Sequence, residues 1–185
     1  MISSNDFRTG VTIEMEGQLW TVVDFQHVKP GKGSAFVRTR LKNVVRGNVL
    51  EKTFRAGEML TRAIIETREM QYLYGSGDEY HFMDQSNYEQ IVLGHDVLGD
   101  NVDLLKESMV ISVQFHNSAV IGADLPNHID LQVTETDPGF KGDTATNVTK
   151  PAKLETGATV NVPLFINPGD RIRIDTRDRK YVSRV

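Results

Sequence analysis

Ala35-Phe36-Val37-Arg38-Thr39-Arg40-Leu41 alternates without interruption. In an extended chain successive side chains point to opposite faces, so Val37, Thr39 and Leu41 share one side while Phe36, Arg38 and Arg40 share the other. One face is apolar and the other basic, which is the pattern of a half-buried strand with a charged outer surface. Upstream of it, residues 19–23 (Leu-Trp-Thr-Val-Val) and 11–14 (Val-Thr-Ile-Glu) flank the turn residues Glu16-Gly17-Gln18, and residues 49–54 supply a further strand. Four or five short strands within about 60 residues, with little helical periodicity, predict a small β-barrel.

Between two of these strands lies Val28-Lys29-Pro30-Gly31-Lys32-Gly33-Ser34. Pro30 fixes its own φ and removes a donor, and glycine at positions 31 and 33 permits backbone angles that other residues resist. Such a turn lifts Lys32 off the barrel with no bulky neighbour to bury it. Two readings stand at this point. Pro-Gly and Gly-Ser are ordinary hairpin chemistry, with Lys32 keeping the tip soluble. Alternatively, a tight loop that projects one long amine reaches into a partner.

The period-2 pattern continues along the chain. It runs over 69–74, turns at Gly75-Ser76-Gly77-Asp78 and returns over 80–83. A second hairpin joins 109–115 to 119–123 across His116-Asn117-Ser118, and only 101–107 leaves room for a helical turn. Residues 129–136, 159–166, 171–175 and 180–182 repeat the scheme. The expected fold class is all-β, cut into three barrel-like domains at 1–64, 65–128 and 129–185. A single 185-residue β-sandwich fits the repeated hairpin-plus-return pattern less well. Domains this small gain stability by packing on one another.

The net charge of -4 conceals a strong asymmetry. Residues 1–64 carry ten Lys/Arg against six Asp/Glu, residues 65–128 two against eleven, and residues 129–185 nine against eight. An acidic middle domain separates a basic first domain from a C-terminal stretch, Arg171 to Arg184, that is itself locally basic. Basic side chains at both ends are what a protein touching nucleic acid with its ends requires, because they displace phosphate counterions. Three solvated domains of differing charge would show the same composition. With no cysteine there is no disulfide framework and no thiol nucleophile. The absence of cysteine fits a reducing, cytoplasmic setting, and no run of residues is long and apolar enough for a membrane helix, so no membrane partner is expected.

Catalytic and metal motifs are missing. Gly31-Lys32-Gly33-Ser34 echoes a phosphate loop but lacks the preceding glycine at the required spacing and a following helix. The five histidines have no metal-ligand spacing, and residues 96–103 lack the carboxylate pattern of a calcium loop. Asp175 and Asp178 flank a turn, where aspartate belongs in any case. No catalytic residue, metal or cofactor is expected, and the chain is not expected to be an enzyme.

The most specific pattern lies near the C-terminus, where Lys150-x-Ala152, Gly157, Val160, Val162-Pro163, Ile166 and Gly169 fall at fixed intervals. With the Lys32 loop, this resembles the bacterial elongation factor P family. The resemblance runs collinearly through Ser4-Asn5-Asp6-Phe7-Arg8, Glu51-Lys52-Thr53-Phe54, Tyr72-Leu73-Tyr74, His81-Phe82-Met83, Gly99-Asp100-Asn101, Thr136-Asp137-Pro138-Gly139, Gly142-Asp143-Thr144-Ala145 and Tyr181-Val182-Ser183-Arg184. It implies an SH3-like first domain and two oligonucleotide-binding barrels in an L that imitates tRNA. It further implies a cytoplasmic monomer that enters the ribosome between the peptidyl-tRNA and exit sites when synthesis stalls at consecutive prolines.

The resemblance makes Lys32 a covalently modified residue that approaches the acceptor end of peptidyl-tRNA, served by a Lys32-modifying enzyme and framed by Lys29, Pro30, Gly31, Gly33 and Ser34. Independently of the family, Arg38 and Arg40, with Lys29 and Lys42, are expected to supply phosphate contacts from the same barrel. Gly142, Asp143 and Thr144 match a loop facing the exit-site mRNA codon, and Tyr181 and Arg184 match a pair contacting peptidyl-tRNA. Read without the family, Gly142-Asp143-Thr144 is an ordinary turn and Tyr181 a half-buried strand aromatic. The rival reading is a free-standing single-stranded RNA-binding protein, which calls for aromatics clustered in one groove. The 14 aromatics are instead spread over all three domains.

Overall fold

The computed structural model describes residues 1–139 and 148–185. Its elements are almost entirely strands, and they form three antiparallel-paired sheets. The chain divides into two compact units, Met1–Thr67 with Gln114–Gly122, and Arg68–Val113 with Ala123–Val185.

The first sheet contains β1 (Ile2–Ser3), β2 (Thr12–Met15), β3 (Gln18–Val28), β4 (Phe36–Asn43), β5 (Val49–Arg55) and β6 (Met59–Ala63), in the order β1-β6-β2-β3-β4-β5. The alternation expected for β4 is present: Val37, Thr39, Leu41 and Asn43 are buried while Arg38, Arg40 and Lys42 are exposed. Val37 and Leu41 join Phe7, Ile13, Trp20, Val22 and Phe54 in one apolar core, with Phe7 and Phe54 meeting edge to face at 5.5 Å. β3 extends five residues beyond the expected strand, made possible by a bulge. Val22 faces Leu41 but Asp24 faces Arg40, leaving Val23 as an extra residue. An extra residue flips the facing of everything after it, so Phe25 packs on the core although it is an odd number of residues from Val22.

The second sheet has the order β11-β10-β7-β8-β9, with β7 (Glu66–Ser76), β8 (Glu79–Asp84), β9 (Gln90–Gly94), β10 (Val110–His116) and β11 (Ala119–Asp124). β7 runs on through Gly75 and Ser76, where a turn was expected, and the chain reverses at Gly77-Asp78 instead. At Gly75 a Cβ would lie 2.9 Å from the Tyr72 hydroxyl and 3.3 Å from the Tyr80 ring, so a larger residue there would have to displace these side chains. Between β9 and β10 the chain makes one helical turn, α1 (His95–Leu98), and a 3-10 segment (Gly99–Leu104), earlier than the expected 101–107. The tip of the β10–β11 hairpin belongs to the first unit, where His116 Nδ1 lies 3.3 Å from the Ile64 carbonyl.

The third sheet is ordered β14-β13-β12-β15-β16, from β12 (His128–Thr136), β13 (Thr149–Leu154), β14 (Thr159–Pro163), β15 (Arg171–Asp175) and β16 (Lys180–Arg184). β13 contains Pro151, a residue that argues against an interior strand. It is tolerated because the β12 ladder has ended one residue earlier, at Thr136 facing Ala152. The core of this sheet (Leu131, Leu154, Val162, Ile172 and Ile174 among others) also receives Leu104, Met109 and Leu125 from the middle of the chain. Two polar ties join the same segments. Arg179 donates to both carboxylate oxygens of Asp103 at 2.8 and 2.7 Å and to the Asp100 carbonyl, and Lys106 reaches Glu155 at 3.0 Å. No helix is long and apolar enough to cross a membrane among the described residues.

Arg179→Met keeps the stem and removes the fork, so it should destabilise the protein by about 1 kcal/mol, the scale of a partly exposed bidentate pair. Hydrogen exchange of amides in 99–104 should rise selectively. The third sheet should also be acid-sensitive. The hydrogen bond from Arg173, at 2.9 Å, holds the Asp130 carboxyl below its usual range, and Arg177 does the same to Asp175. A carboxyl lowered in the folded state contributes fully above its ordinary value, about pH 4, and the contribution is lost as pH falls through the lower folded value. Asp130→Asn should therefore flatten the dependence of thermal midpoint on pH below about 5.

Candidate nucleic-acid interface

Val28 of β3 faces Phe36 of β4, and this pair closes the loop 29–35. Lys29 to Ser34 are all exposed, and no ion pair or hydrogen bond to another described residue holds the Lys32 ammonium. Of the two glycines, only Gly33 uses the left-handed region, with φ +104°. At Gly31 a Cβ would meet open space, so that glycine is not demanded by the backbone and instead leaves the flank of Lys32 bare. Lysine carries about 2 kcal/mol of rotamer entropy. Nothing in the loop restrains it, so the side chain keeps that freedom for whatever it meets.

Beneath the loop, β4 presents Arg38, Arg40 and Lys42 in one exposed row, about 7 Å apart along the strand. Cross-strand register separates their roles. Arg40 lies between Asp24 of β3 and Glu51 of β5, whereas Arg38 lies between the uncharged Gln26 and Thr53. Opposite charges directly across a ladder attract by about 0.2–1 kcal/mol, so Arg38 is the less compensated cation of the two. His27 stands edge-on to Phe25 at 5.7 Å, and Lys52 lies 5.8 Å from the centre of the Phe54 ring.

Tyr181 and Arg184 are three residues apart in β16 and would face opposite ways in a regular strand. A bulge at Val182 changes this: Tyr181 faces Ile174 and Arg184 faces Ile172, two residues with the same buried orientation. Tyr181 packs on the core, and Arg184 emerges at the strand end. There its guanidinium lies 5.7 Å from the centre of the Phe165 ring and 4.0 Å from an Asp170 carboxylate oxygen. Phe165 is 57% exposed. It was hidden in the apolar run Val162-Pro163-Leu164-Phe165-Ile166, which the alternation extended as strand to 166. β14 in fact stops at Pro163, and Ile166 N–H turns back to the Pro163 carbonyl, so the turn carries Phe165 outward. Gly142, Asp143 and Thr144 lie outside the described residues. No cluster of metal-binding side chains occurs among the described residues.

Residues 3–60 match the family Elongation factor P (EF-P) KOW-like domain, residues 65–123 the Elongation factor P (EF-P) OB domain, and residues 129–184 Elongation factor P, C-terminal. A protein named elongation factor P from Gloeobacter violaceus is 62% identical over 185 residues, covering the whole chain and 99% of the relative. Those from Natranaerobius thermophilus and Thermoanaerobacter sp. are each 57% identical over the whole chain, covering 98% and 100% of the relatives. Among solved structures, the eukaryotic translation initiation factor 5A from Methanococcus jannaschii aligns with a TM-score of 0.51 at 20% identity, over 68% of this chain and 90% of that one. A translation initiation factor eif-5a family protein from Naegleria fowleri aligns with a TM-score of 0.55 at 12% identity, over 67% and 96%. At those identities the structural likeness speaks for the fold alone, an all-β chain of KOW-like and OB domains, while the relatives matched over their full length carry the assignment. The chain belongs to the elongation factor P family of translation factors.

Proposed function

We propose that this factor binds the ribosome between the peptidyl-tRNA and exit sites and promotes peptide bond formation at consecutive prolines by ordering the acceptor end of peptidyl-tRNA. The observation that carries the reading is the unrestrained Lys32 at the tip of a closed hairpin, above an exposed row of cations. Proline is a poor donor and acceptor, so the slow step needs geometry more than acid or base. Orientation alone is able to supply several kcal/mol of a barrier. An ammonium among phosphates in a site shielded from bulk water adds electrostatic ordering. Lys32 is the residue a modifying enzyme extends, and the bare flanks left by Gly31 and Gly33 suit both the enzyme's access and the adduct's reach.

Arg38, less compensated than Arg40, makes the stronger phosphate contact from the first domain. Tyr181 and Arg184, brought to one side of β16 by the bulge, touch peptidyl-tRNA, and Gly142, Asp143 and Thr144 face mRNA in the exit site. The factor works as a cytoplasmic monomer.

Lys32→Ala should reduce rescue of a three-proline reporter roughly tenfold or more while leaving the thermal midpoint unchanged, because the side chain orients substrate and packs on nothing. Full rescue by that variant would refute the role of Lys32. Arg184→Ala should weaken ribosome binding uniformly across stalling sequences and lower the salt slope of log affinity by about one, as expected for one lost phosphate contact. An unchanged slope would remove Arg184 from the interface.

A further inference from the structure

The acidic middle of the chain has no part in the mechanism above. Residues 65–128 hold two cations against eleven carboxylates, and one of the two, Lys106, is already engaged with Glu155. Ribosomal RNA repels such a surface. If the factor sits on the ribosome, which is the reading this inference rests on, its middle domain needs a positively charged neighbour.

The outer face of β7–β9 is built for one. Register places Tyr74 opposite His81, and His81 opposite Val92, in a single row across the three strands. The bulge at Leu73 makes this row possible: Tyr72 faces the buried Phe82, and without the extra residue Tyr74 would follow it inward. The Tyr74 and His81 rings stack at 4.4 Å with 15° between their planes. Tyr74 remains 55% exposed and Val92 51%. Exposed carboxylates border one end of this row: Asp78 and Glu79 at the β7–β8 turn, with a Glu79 carboxylate oxygen 4.0 Å from His81 Nε2. An apolar, aromatic patch beside this acidic edge is complementary to guanidinium and ammonium groups on long apolar stems. A guanidinium stacks on the exposed tyrosine face, the stems lie along Val92, and the heads reach the carboxylates of the turn.

We infer that the outer face of β7–β9, centred on Tyr74, His81 and Val92, docks an arginine- and lysine-rich protein segment of the ribosome. A stacked aromatic pair also suits an unpaired base, but a base brings its phosphates with it, and this domain has no free row of cations like that on β4 to meet them.

The chain contains no cysteine, so Gln90→Cys, exposed beside Met83 on the same face, gives a unique attachment point for a benzophenone with Tyr74 intact. The labelled factor is bound to purified ribosomes, irradiated, and the conjugate identified by mass spectrometry. In parallel, ribosome affinity is measured for Tyr74→Ala and Tyr74→Phe. The expected result is a conjugate to a peptide dense in Arg and Lys, with Tyr74→Ala about two- to thirtyfold weaker and Tyr74→Phe unchanged, the range of one cation–π contact. Conjugation to ribosomal RNA, no conjugate from ribosome-bound factor, or full affinity in Tyr74→Ala overturns the inference and leaves the ribosome reading intact. Failure of the unlabelled wild-type factor to bind ribosomes would instead overturn that reading, and this inference with it.

Discussion

The burial of Val37, Thr39 and Leu41 on the inner side of β4 is the constraint from which the first domain's surface follows. A strand cannot bury one set of alternate side chains without exposing the other, so the core that holds the barrel together also fixes Arg38, Arg40 and Lys42 in an outward row. The same strand pairs with β3 up to Val28 and Phe36, which closes the 29–35 loop on a firm base. Stability and presentation of Lys32 therefore share one element. A substitution that slipped β4 by a single residue would bury the cations and expose the core together.

Of the four register shifts among the described residues, three repeat this theme. The one at Val23 turns Phe25 to the core and lets β3 continue toward the loop. The one at Leu73 turns Tyr74 outward to meet His81, and the one at Val182 brings Tyr181 and Arg184 to one side. Bulges re-aim side chains without altering the fold that carries them. In this chain each changes which residue a partner would meet.

Much of the fold was legible in the sequence because half-buried strands write their burial as alternation. β4, β10 and β15 follow the pattern closely, and the charge division survives as a cationic row on one sheet and an acidic turn on another. The rest depends on information that local sequence does not hold. β13 hides behind Pro151, which is harmless only because of where the neighbouring ladder ends. β6 and β9 are short strands whose existence is decided by the partners they meet. The difference between Arg38 and Arg40 is a matter of register, since Asp24 and Glu51 are distant in sequence and adjacent across the ladder. Phe165 was invisible in an apolar run until the turn after Pro163 exposed it. The Lys32 loop was legible as a loop, but its hairpin chemistry alone did not distinguish a soluble tip from a reaching one.

The central claim is that the tip of this loop lies at the acceptor end of peptidyl-tRNA on the stalled ribosome. Because the chain lacks cysteine, Lys32→Cys gives a single site for an iron chelate that generates hydroxyl radicals within a short radius. Bound to ribosomes stalled at consecutive prolines, the tethered probe should cut peptidyl-tRNA at its 3′-terminal nucleotides and leave the anticodon arm intact. Cutting confined to another part of the tRNA, or none from factor that remains ribosome-bound, would contradict the account.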